Sequence, residues 1–246
     1  MTKKTRKFKK IILGIAGILV LFILIVIVNL IIFEKNASVV SKGQPIKKYG
    51  EHNYALLVID IQEATTGETS MSSFYKTNSE VLIKNINQIV DSFKNRNSLV
   101  IYVRSEISNP FINLLNNSFA KGGLGSKFDK RLKSNYDFEI VKSRNDAFNK
   151  TKLDNILATN KINELYIVGL DAAYCIKITS EAARNRNYQV NIIEEAILSE
   201  SETMKDSMLT YLKDWGIKIL SIDSIKILED ENANAQQSIN AMRTMF

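Results

Sequence analysis

The stretch YIVGLDAAYCIKITSEAARNRNYQV, residues 166–190, constrains the fold of this chain more than any other. Residues 166–168 form an apolar run typical of a buried strand, Gly169 allows a tight turn, and a helix is predicted to open near Cys175. A second apolar strand, residues 189–193, follows directly. Two strands joined by a helix predict a right-handed parallel crossover, and therefore a parallel sheet.

The chain from residue 51 to residue 228 continues this alternation of strands and helices without an internal repeat. Continuous apolar runs such as YALLVI (54–59) and LVIYV (99–103) are typical of strands covered on both faces. The predicted strands are 54–59, 99–103, 138–141, 166–168, 189–193 and 217–222. Helices are predicted over 79–97 (capped by Asn78 or Ser79), 151–160 and 201–215. This pattern predicts an α/β fold: a doubly wound, mostly parallel six-stranded sheet flanked by helices, with a polar C-terminal tail over residues 229–246.

An uncharged apolar stretch runs from Ile11 to Phe33, with Asn29 as its one strongly polar residue. As a helix it would span roughly 34 Å, enough to cross a hydrocarbon core of about 30 Å. A cleaved signal peptide is the alternative, but its apolar part is usually about 7–15 residues long and no clear cleavage site follows. We therefore predict an uncleaved signal anchor in which residues 11–33 cross the lipid bilayer of the cell membrane. The basic head, residues 1–10, is expected in the cytoplasm, and the domain that follows a polar tether (residues 34–50) is expected outside.

The formal net charge of +7 is concentrated near the N-terminus. Residues 1–10 contribute +6 and residues 34–50 contribute +3, so residues 51–246 carry −2. A mildly acidic globular part lacks the basic surface that nucleic-acid binding requires. The charge distribution therefore excludes nucleic acid as a partner.

Three polar residues follow predicted strands at the edge where doubly wound folds bind ligands: Asp60, Lys142 and Cys175. Cys175 is the only cysteine, and a position at a helix start favours a thiolate, although a buried core residue is the alternative reading. The only histidine, His52, precedes the first strand and is expected to be solvated. Its position excludes histidine-based triads and multi-histidine metal sites. Thiol chemistry here would need a carboxylate or an amine as proton acceptor.

Three blocks of the sequence resemble the isochorismatase-like cysteine hydrolases, and they occur in the order found in that family. They are ALLVIDIQ (55–62), VKSRNDAF (141–148) and VGLDAAYCIKITSEAARNRNYQV (168–190), and the resemblance extends from about Tyr54 to Ile222. It implies an Asp–Lys–Cys triad, with Asp60 as general base, Lys142 as charge partner and Cys175 as nucleophile.

The resemblance also implies the surroundings of this triad. The backbone N–H groups of Asp171 and Cys175 would form the oxyanion hole, and the peptide bond between Leu170 and Asp171 would be cis. Substrate-pocket side chains are predicted at four positions: Gln62, Glu106, Phe148 and Tyr174. Glu106 could instead form a structural ion pair with Arg104, and the aromatic residues could instead belong to the core.

The substrate that the resemblance implies is a small amide or carbamoyl compound, cleaved at its C–N bond through an acyl-thioester without a cofactor. Metal-dependent nicotinamidases of the family carry an Asp/His cluster after the base, whereas IQEATTG (61–67) has no histidine, so no metal is expected. Isochorismatases proper lack the nucleophilic cysteine, which disfavours their vinyl-ether reaction here.

Other functions remain open at this point. The chain could be a catalytically inactive, membrane-tethered binding module of the same fold, or, less favoured without a resolving cysteine, a thiol sensor. The resemblance suggests a homo-oligomer, whose geometry a tether on every subunit would constrain.

Overall fold

A computed structural model describes residues 3–225, so the predicted tail at residues 229–246 lies outside the described residues. The chain opens with helix α1, Lys3–Ala37, which extends beyond the predicted apolar stretch at both ends. Lys, Arg and Glu, which flank that stretch, are good helix formers and continue the helix. The length and composition of α1 suit a membrane span, and a signal sequence shares these properties.

Six parallel strands form one sheet, which confirms the predicted fold class. Their order across the sheet is β3-β2-β1-β4-β5-β6, so the winding direction reverses between β1 and β4. The carboxyl ends of those two strands therefore flank the switch point at which such folds bind ligands. The strands are β1 (Asn53–Ile59), β2 (Leu99–Ser105), β3 (Phe138–Lys142), β4 (Ile162–Gly169), β5 (Gln189–Ile197) and β6 (Lys218–Leu220).

Helices cover both faces of this sheet. Helix α2 (Ser73–Asn95) packs on one face, and α4 (Leu153–Thr159), α5 (Lys177–Asn185) and α6 (Glu202–Asp214) pack on the other. Each face of the sheet has its own apolar core. Alternate residues of β1 pack into one core or the other, because successive side chains of a strand point to opposite faces. Leu57 belongs to the cluster with α4, α5 and α6, while Leu56 belongs to the cluster with α2. The short helix α3 (Pro110–Leu115) buries no residue.

Helix α2 begins earlier than the sequence pattern predicted. Its N-cap is Ser72, whose side chain accepts a hydrogen bond from the Tyr75 N–H at 3.2 Å, so the predicted caps Asn78 and Ser79 are wrong. The residues of the first turns are mostly polar or exposed, and they carry no apolar periodicity to mark a helix.

The chain makes a sharp turn after β4. Gly169 has φ +115°, and a Cβ there would lie 2.0 Å from the carbonyl oxygen of Ile59, so glycine permits the close approach of β4 to β1. The Leu170–Asp171 peptide is cis, as the resemblance implied. A π-helical turn, Ala172–Ile176, follows and leads directly into α5.

The predicted tether is held against the domain. The Ser41 N–H donates to Asp146 Oδ2 at 2.8 Å, and the Ile46 N–H donates to the carbonyl of Arg186 at 2.8 Å. The chain between α1 and β1 therefore follows the surface of the domain instead of running free.

Candidate active site

Three predicted side chains, from Asp60, Lys142 and Cys175, meet at the carboxyl edge of the sheet. Lys142 Nζ lies 2.7 Å from Asp60 Oδ2 and 3.2 Å from Cys175 Sγ. The Lys142 side chain has no exposed surface, and Asp60 is 4% exposed. A buried ammonium is therefore in contact with both a carboxylate and a sulfur atom.

Backbone geometry at the ends of the strands positions these groups. Asp60 follows β1 with φ +54°, a left-handed conformation that is uncommon for residues other than glycine and that concentrates at functional sites. Its N–H donates to the carbonyl of Val103 at 2.8 Å, and its carbonyl accepts from Thr65 Oγ1 at 2.6 Å. Lys142 is the last residue of β3, and Cys175 lies in the π-helical turn after β4.

Ser105, the last residue of β2, connects the base and the cation. Its Oγ donates to Asp60 Oδ1 at 3.0 Å and lies 2.7 Å from Lys142 Nζ, which donates to it. Strand β2 lies between β1 and β3, so its final residue reaches both neighbours. Ser105 was not among the predicted site residues.

Burial raises the pKa of the Cys175 thiol to about 12, and the Asp60 charge acts in the same direction against the opposing effect of Lys142. The expected thiolate at rest is therefore wrong, because desolvation and Asp60 outweigh the cation. Burial alone would lower the pKa of Lys142, but the charges of Asp60 and Cys175 raise it, so this amine stays protonated. The resting site holds a protonated thiol beside an Asp–Lys ion pair.

Asp171 organises the turn that carries Cys175. Its carboxylate accepts hydrogen bonds from the Ala173 N–H at 2.6 Å, from Ser199 Oγ at 2.8 Å and from the Tyr75 hydroxyl. Burial raises the pKa of Tyr75 above its ordinary value, and the Asp171 charge adds to that effect. The Tyr75 hydroxyl therefore stays protonated and donates to Asp171. The role of the Asp171 and Cys175 N–H groups as an oxyanion hole stays a prediction.

Asn145 contacts the sulfur atom from the segment after β3. Cys175 Sγ lies 3.6 Å from Asn145 Oδ1, and the carbonyl of Asn145 accepts from Thr179 Oγ1 at 3.2 Å. Asn145 stands three residues after Lys142, so both approach Cys175 from the same strand end. It was not predicted, since nothing in its local pattern distinguishes it from a loop asparagine.

A cavity of about 310 Å³ opens onto this cluster. Its polar wall consists of Asp60, Thr65, Ser105, Ser143, Arg144, Asn145, Asp171 and Cys175. The remaining wall is mainly apolar and aromatic, formed by Phe33, Tyr75, Ile107, Phe119, Leu170 and Tyr174. Phe33 belongs to α1, so a residue of the predicted anchor faces the same cavity as the thiol.

Of the four predicted pocket side chains, Tyr174 lines this cavity and the other three do not. Gln62 is buried, and its amide bonds to backbone atoms of Ser105 and Ser126. Glu106 pairs with Arg104 at 2.9 Å, which is the structural alternative named above. Phe148 is 3% exposed and stacks on Tyr188 in the core.

His52 lies at the opposite edge of the sheet, next to the start of β1. Its side chain is 55% exposed, as expected for a solvated histidine, and its ring contacts the carboxylate of Glu164. Within residues 3–225, no group of three or more His, Cys, Asp or Glu residues is placed to hold a metal ion. Metal independence itself stays a prediction.

Comparisons with known proteins identify the family. Residues 54–224 match the family described as "Isochorismatase domain". A probable inactive nicotinamidase of Arabidopsis thaliana is 27% identical over 188 residues, covering 68% of this chain and 91% of the relative.

Solved structures share the fold. The N-carbamoylsarcosine amidase of Thermoplasma acidophilum superposes with a TM-score of 0.60 at 24% identity, covering 70% of this chain and 97% of its own. The pyrazinamidase of Pyrococcus horikoshii, solved in complex with zinc, has a TM-score of 0.60 at 21% identity, covering 69% of this chain and 99% of its own.

Proposed function

Because this chain belongs to the isochorismatase family, we propose that it is a cysteine hydrolase that cleaves the C–N bond of a small amide or carbamoyl compound. One observation carries the proposal: Lys142 Nζ contacts both Asp60 Oδ2, at 2.7 Å, and Cys175 Sγ, at 3.2 Å, and these two partners line an open cavity. Structural neighbours that include an N-carbamoylsarcosine amidase and a pyrazinamidase support the reaction class.

The first half of the reaction forms an acyl-thioester. Cys175 Sγ attacks the substrate carbonyl carbon while Asp60 accepts the thiol proton, which produces a tetrahedral oxyanion. The oxyanion accepts hydrogen bonds from the backbone N–H groups of Asp171 and Cys175. The C–N bond then breaks, Asp60 returns the proton to the leaving nitrogen, and ammonia or an amine departs.

The second half releases the acid. Water attacks the thioester carbonyl, Asp60 accepts a proton from that water, and the C–S bond breaks so that Cys175 recovers its proton. Lys142 remains protonated throughout and stabilises the negative charge that passes between Asp60 and Cys175. A raised thiol pKa suits this scheme, because the thiol loses its proton only as the carbonyl carbon is attacked. No step requires a metal ion or another cofactor.

We further propose that α1 is an uncleaved anchor that crosses the cell membrane, with the basic head inside and the hydrolase domain outside. The support is its length, its apolar composition and the absence of fully buried residues along its apolar window. Protease treatment of intact cells tests the orientation. Digestion of the domain is the expected result, and a domain that resists the protease until the cells are broken would contradict it.

A second function is a binding module that keeps the fold without catalysis. One relative described as a probable inactive nicotinamidase favours it. This alternative predicts ligand binding without release of ammonia.

An ammonia-release screen of the full-length protein over small amides and carbamoyl compounds separates the two functions. The hydrolase predicts turnover that Cys175→Ala reduces by at least about 10⁴-fold without unfolding the protein. His52→Ala is the matched control and should retain turnover. Undiminished hydrolysis by Cys175→Ala would exclude the proposed triad.

A further inference from the structure

The C-terminal end of α1 is bound beside the candidate active site. Arg144 Nη1 donates to the carbonyl of Phe33 at 3.2 Å, and its guanidinium lies 5.4 Å from the centre of the Phe33 ring. The Asn145 N–H donates to the carbonyl of Ala37 at 2.9 Å. Carbonyl groups at a helix C-terminus need such donors, and a cation there is favourable. Residues directly after Lys142 therefore fix the end of the anchor at the wall of the cavity.

A second segment of the domain contacts α1 further along the helix. Asn109 Nδ2 donates to Asn29 Oδ1 at 2.9 Å, and the ring of Phe111 lies 6.4 Å from that of Phe22 in an edge-to-face arrangement. Asn29 is the one strongly polar residue of the apolar stretch, and lipid chains offer its amide no hydrogen-bond partner. The hydrogen bond from Asn109 supplies that partner from the domain.

This second segment, residues 107–120, has the properties of a membrane-inserted loop. It contains no charged residue, and within it Leu114 and Leu115 of α3 are 69% and 64% exposed. Side chains satisfy its open backbone groups, because Asn109 Oδ1 accepts from two N–H groups at the start of α3 and Asn113 Nδ2 donates to the carbonyl of Ile107. Non-helical backbone is tolerated at membrane depth only where protein or a water-filled cavity covers it, so the irregular ends of the segment would lie against α1 and the domain while the leucines of α3 face the lipid.

Given the anchor proposed above, the contacts with Phe22 and Asn29 would put α3 at the level of the acyl chains. Phe22 and Phe33 are separated by a helical rise of roughly 16 Å, and α3 contacts the anchor between these levels. The ends of the segment, Ile107 and Phe119, line the cavity together with Phe33. One apolar surface therefore runs from the lipid-facing leucines of α3 to the thiol.

Charged groups on the cavity wall already have partners. Asp60 is paired with Lys142, Asp171 accepts from Tyr75 and two further donors, and Arg144 lies on Phe33. The part of the wall that faces α1 and α3 offers apolar contact instead. A substrate with an apolar chain would match that wall.

We propose, on the basis of the hydrolase function above, that the cavity opens onto the bilayer and accepts an amide carried by an amphiphile. The apolar chain of that molecule stays among the lipid chains beside α1 and α3, and its amide head reaches Cys175. Water completes the hydrolysis, so the acid produced remains in the membrane and the amine or ammonia leaves.

The membrane contact can be measured without catalysis. The full-length protein carrying Trp215→Phe is placed in phosphatidylcholine vesicles with brominated acyl chains, and one tryptophan is introduced by Leu114→Trp. We expect at least about a twofold loss of its fluorescence, because an inserted indole contacts the bromine atoms. Val81→Trp, at a 63% exposed apolar site on α2, is the matched control and should not be quenched. Equal fluorescence of the Leu114→Trp variant in brominated and ordinary vesicles would overturn the proposal.

The substrate class is tested with unbranched primary amides from butanamide to dodecanamide, presented to the full-length protein in vesicles. The proposal predicts that kcat/KM, expressed against the free amide in water, rises with chain length by about fourfold for each added CH₂ that leaves water. Phe33→Ala should reduce the ratio of kcat/KM for dodecanamide to kcat/KM for butanamide at least about tenfold. Ile32→Ala, whose side chain is 55% exposed on the same helix, should leave it unchanged.

The outcomes separate the two proposals. Hydrolysis that is independent of chain length, or equal selectivity in Phe33→Ala, would overturn the membrane-borne substrate while leaving the hydrolase intact. Failure to hydrolyse any amide would remove the hydrolase function and the substrate class together, and the quenching result would still decide whether α3 enters the bilayer.

Discussion

The two edges of the parallel sheet each hold a carboxylate paired with a basic side chain, but their surroundings differ. At the carboxyl edge, Lys142 has no exposed side-chain surface and contacts both Asp60 and Cys175. At the amino edge, the His52 side chain is 55% exposed and contacts Glu164, with no cysteine nearby. Cavity size does not identify the site, because the cavity beside His52 is about 540 Å³ and the one beside Cys175 is about 310 Å³.

Burial and the presence of a nucleophile distinguish the two edges. Charges that lie away from water interact strongly with their neighbours, whereas a half-exposed pair is screened by solvent. We therefore expect substitutions at the carboxyl edge to change chemistry and stability, and those at the amino edge to change little.

The largest effect is expected from Asp60→Asn, which keeps the shape of the base but removes its capacity to accept a proton. Amide hydrolysis should fall by about 10²- to 10⁴-fold, the usual contribution of a general base. Ammonia release measures the loss. Asp129→Asn, which changes another buried carboxylate that pairs with Arg131, is the control and should retain activity. Activity of Asp60→Asn within a few-fold of the native protein would contradict the assignment.

Lys142→Met should destabilise the fold as well as reduce turnover. It leaves the buried Asp60 carboxylate without its cation, a change that typically costs about 3–5 kcal/mol of unfolding free energy. Chemical denaturation of the full-length protein in detergent provides the measurement. Lys133→Met, which removes a half-exposed pair with Asp91, should cost less than about 1 kcal/mol. Equal losses for both variants would mean that the two ion pairs do not differ in environment.

The reactivity of Cys175 should respond to Asp60 in the opposite direction from catalysis. Burial and the Asp60 charge hold the pKa of the thiol near 12, so alkylation at pH 8 is slow and accelerates with increasing pH up to that value. Asp60→Asn removes a negative charge, lowers this pKa and should speed alkylation at pH 8 by at least about tenfold. The rate of iodoacetamide labelling reports the change, and slower labelling of the variant would exclude electrostatic contact between the two groups.

The smallest effect is expected from His52→Ala. His52 is 55% exposed, and Asn191 Nδ2 still donates to the buried Glu164 carboxylate in its absence, so the contact should contribute about 1 kcal/mol or less. Turnover should change by less than about twofold. Parallel measurements of thermal unfolding and ammonia release test both statements. A large loss of turnover would show that the contact between His52 and Glu164 at the amino edge affects the chemistry at Cys175.

The strands and the meeting of Asp60, Lys142 and Cys175 at one edge could be predicted because the signals for the strands are local. Apolar runs mark β1 and β4, and parallel strands bring the residues that follow them to one edge, where Asp60 and Cys175 were expected. The start of α2 was missed because its first turns lack apolar periodicity. The thiolate expectation failed because a helix start is visible in the sequence, whereas desolvation of Cys175 is not.

The remaining parts of the site depend on contacts between distant residues. Ser105 bridges Asp60 and Lys142 only because β2 lies between their strands, and Phe33 reaches the cavity only because Arg144 and Asn145 bind the end of α1. Gln62 was predicted to line the pocket, but its amide is bonded to backbone atoms of Ser105 and Ser126. No local pattern encodes these pairings.

Partitioning of the proposed acyl-thioester at Cys175 tests the central claim most directly. Two amides with the same acyl group but different leaving amines are hydrolysed in the presence of hydroxylamine, and the ratio of hydroxamate to acid is measured for each. A common acyl-enzyme predicts the same ratio for both substrates and no product from Cys175→Ala. Ratios that differ with the leaving amine, or products formed by Cys175→Ala, would contradict the account.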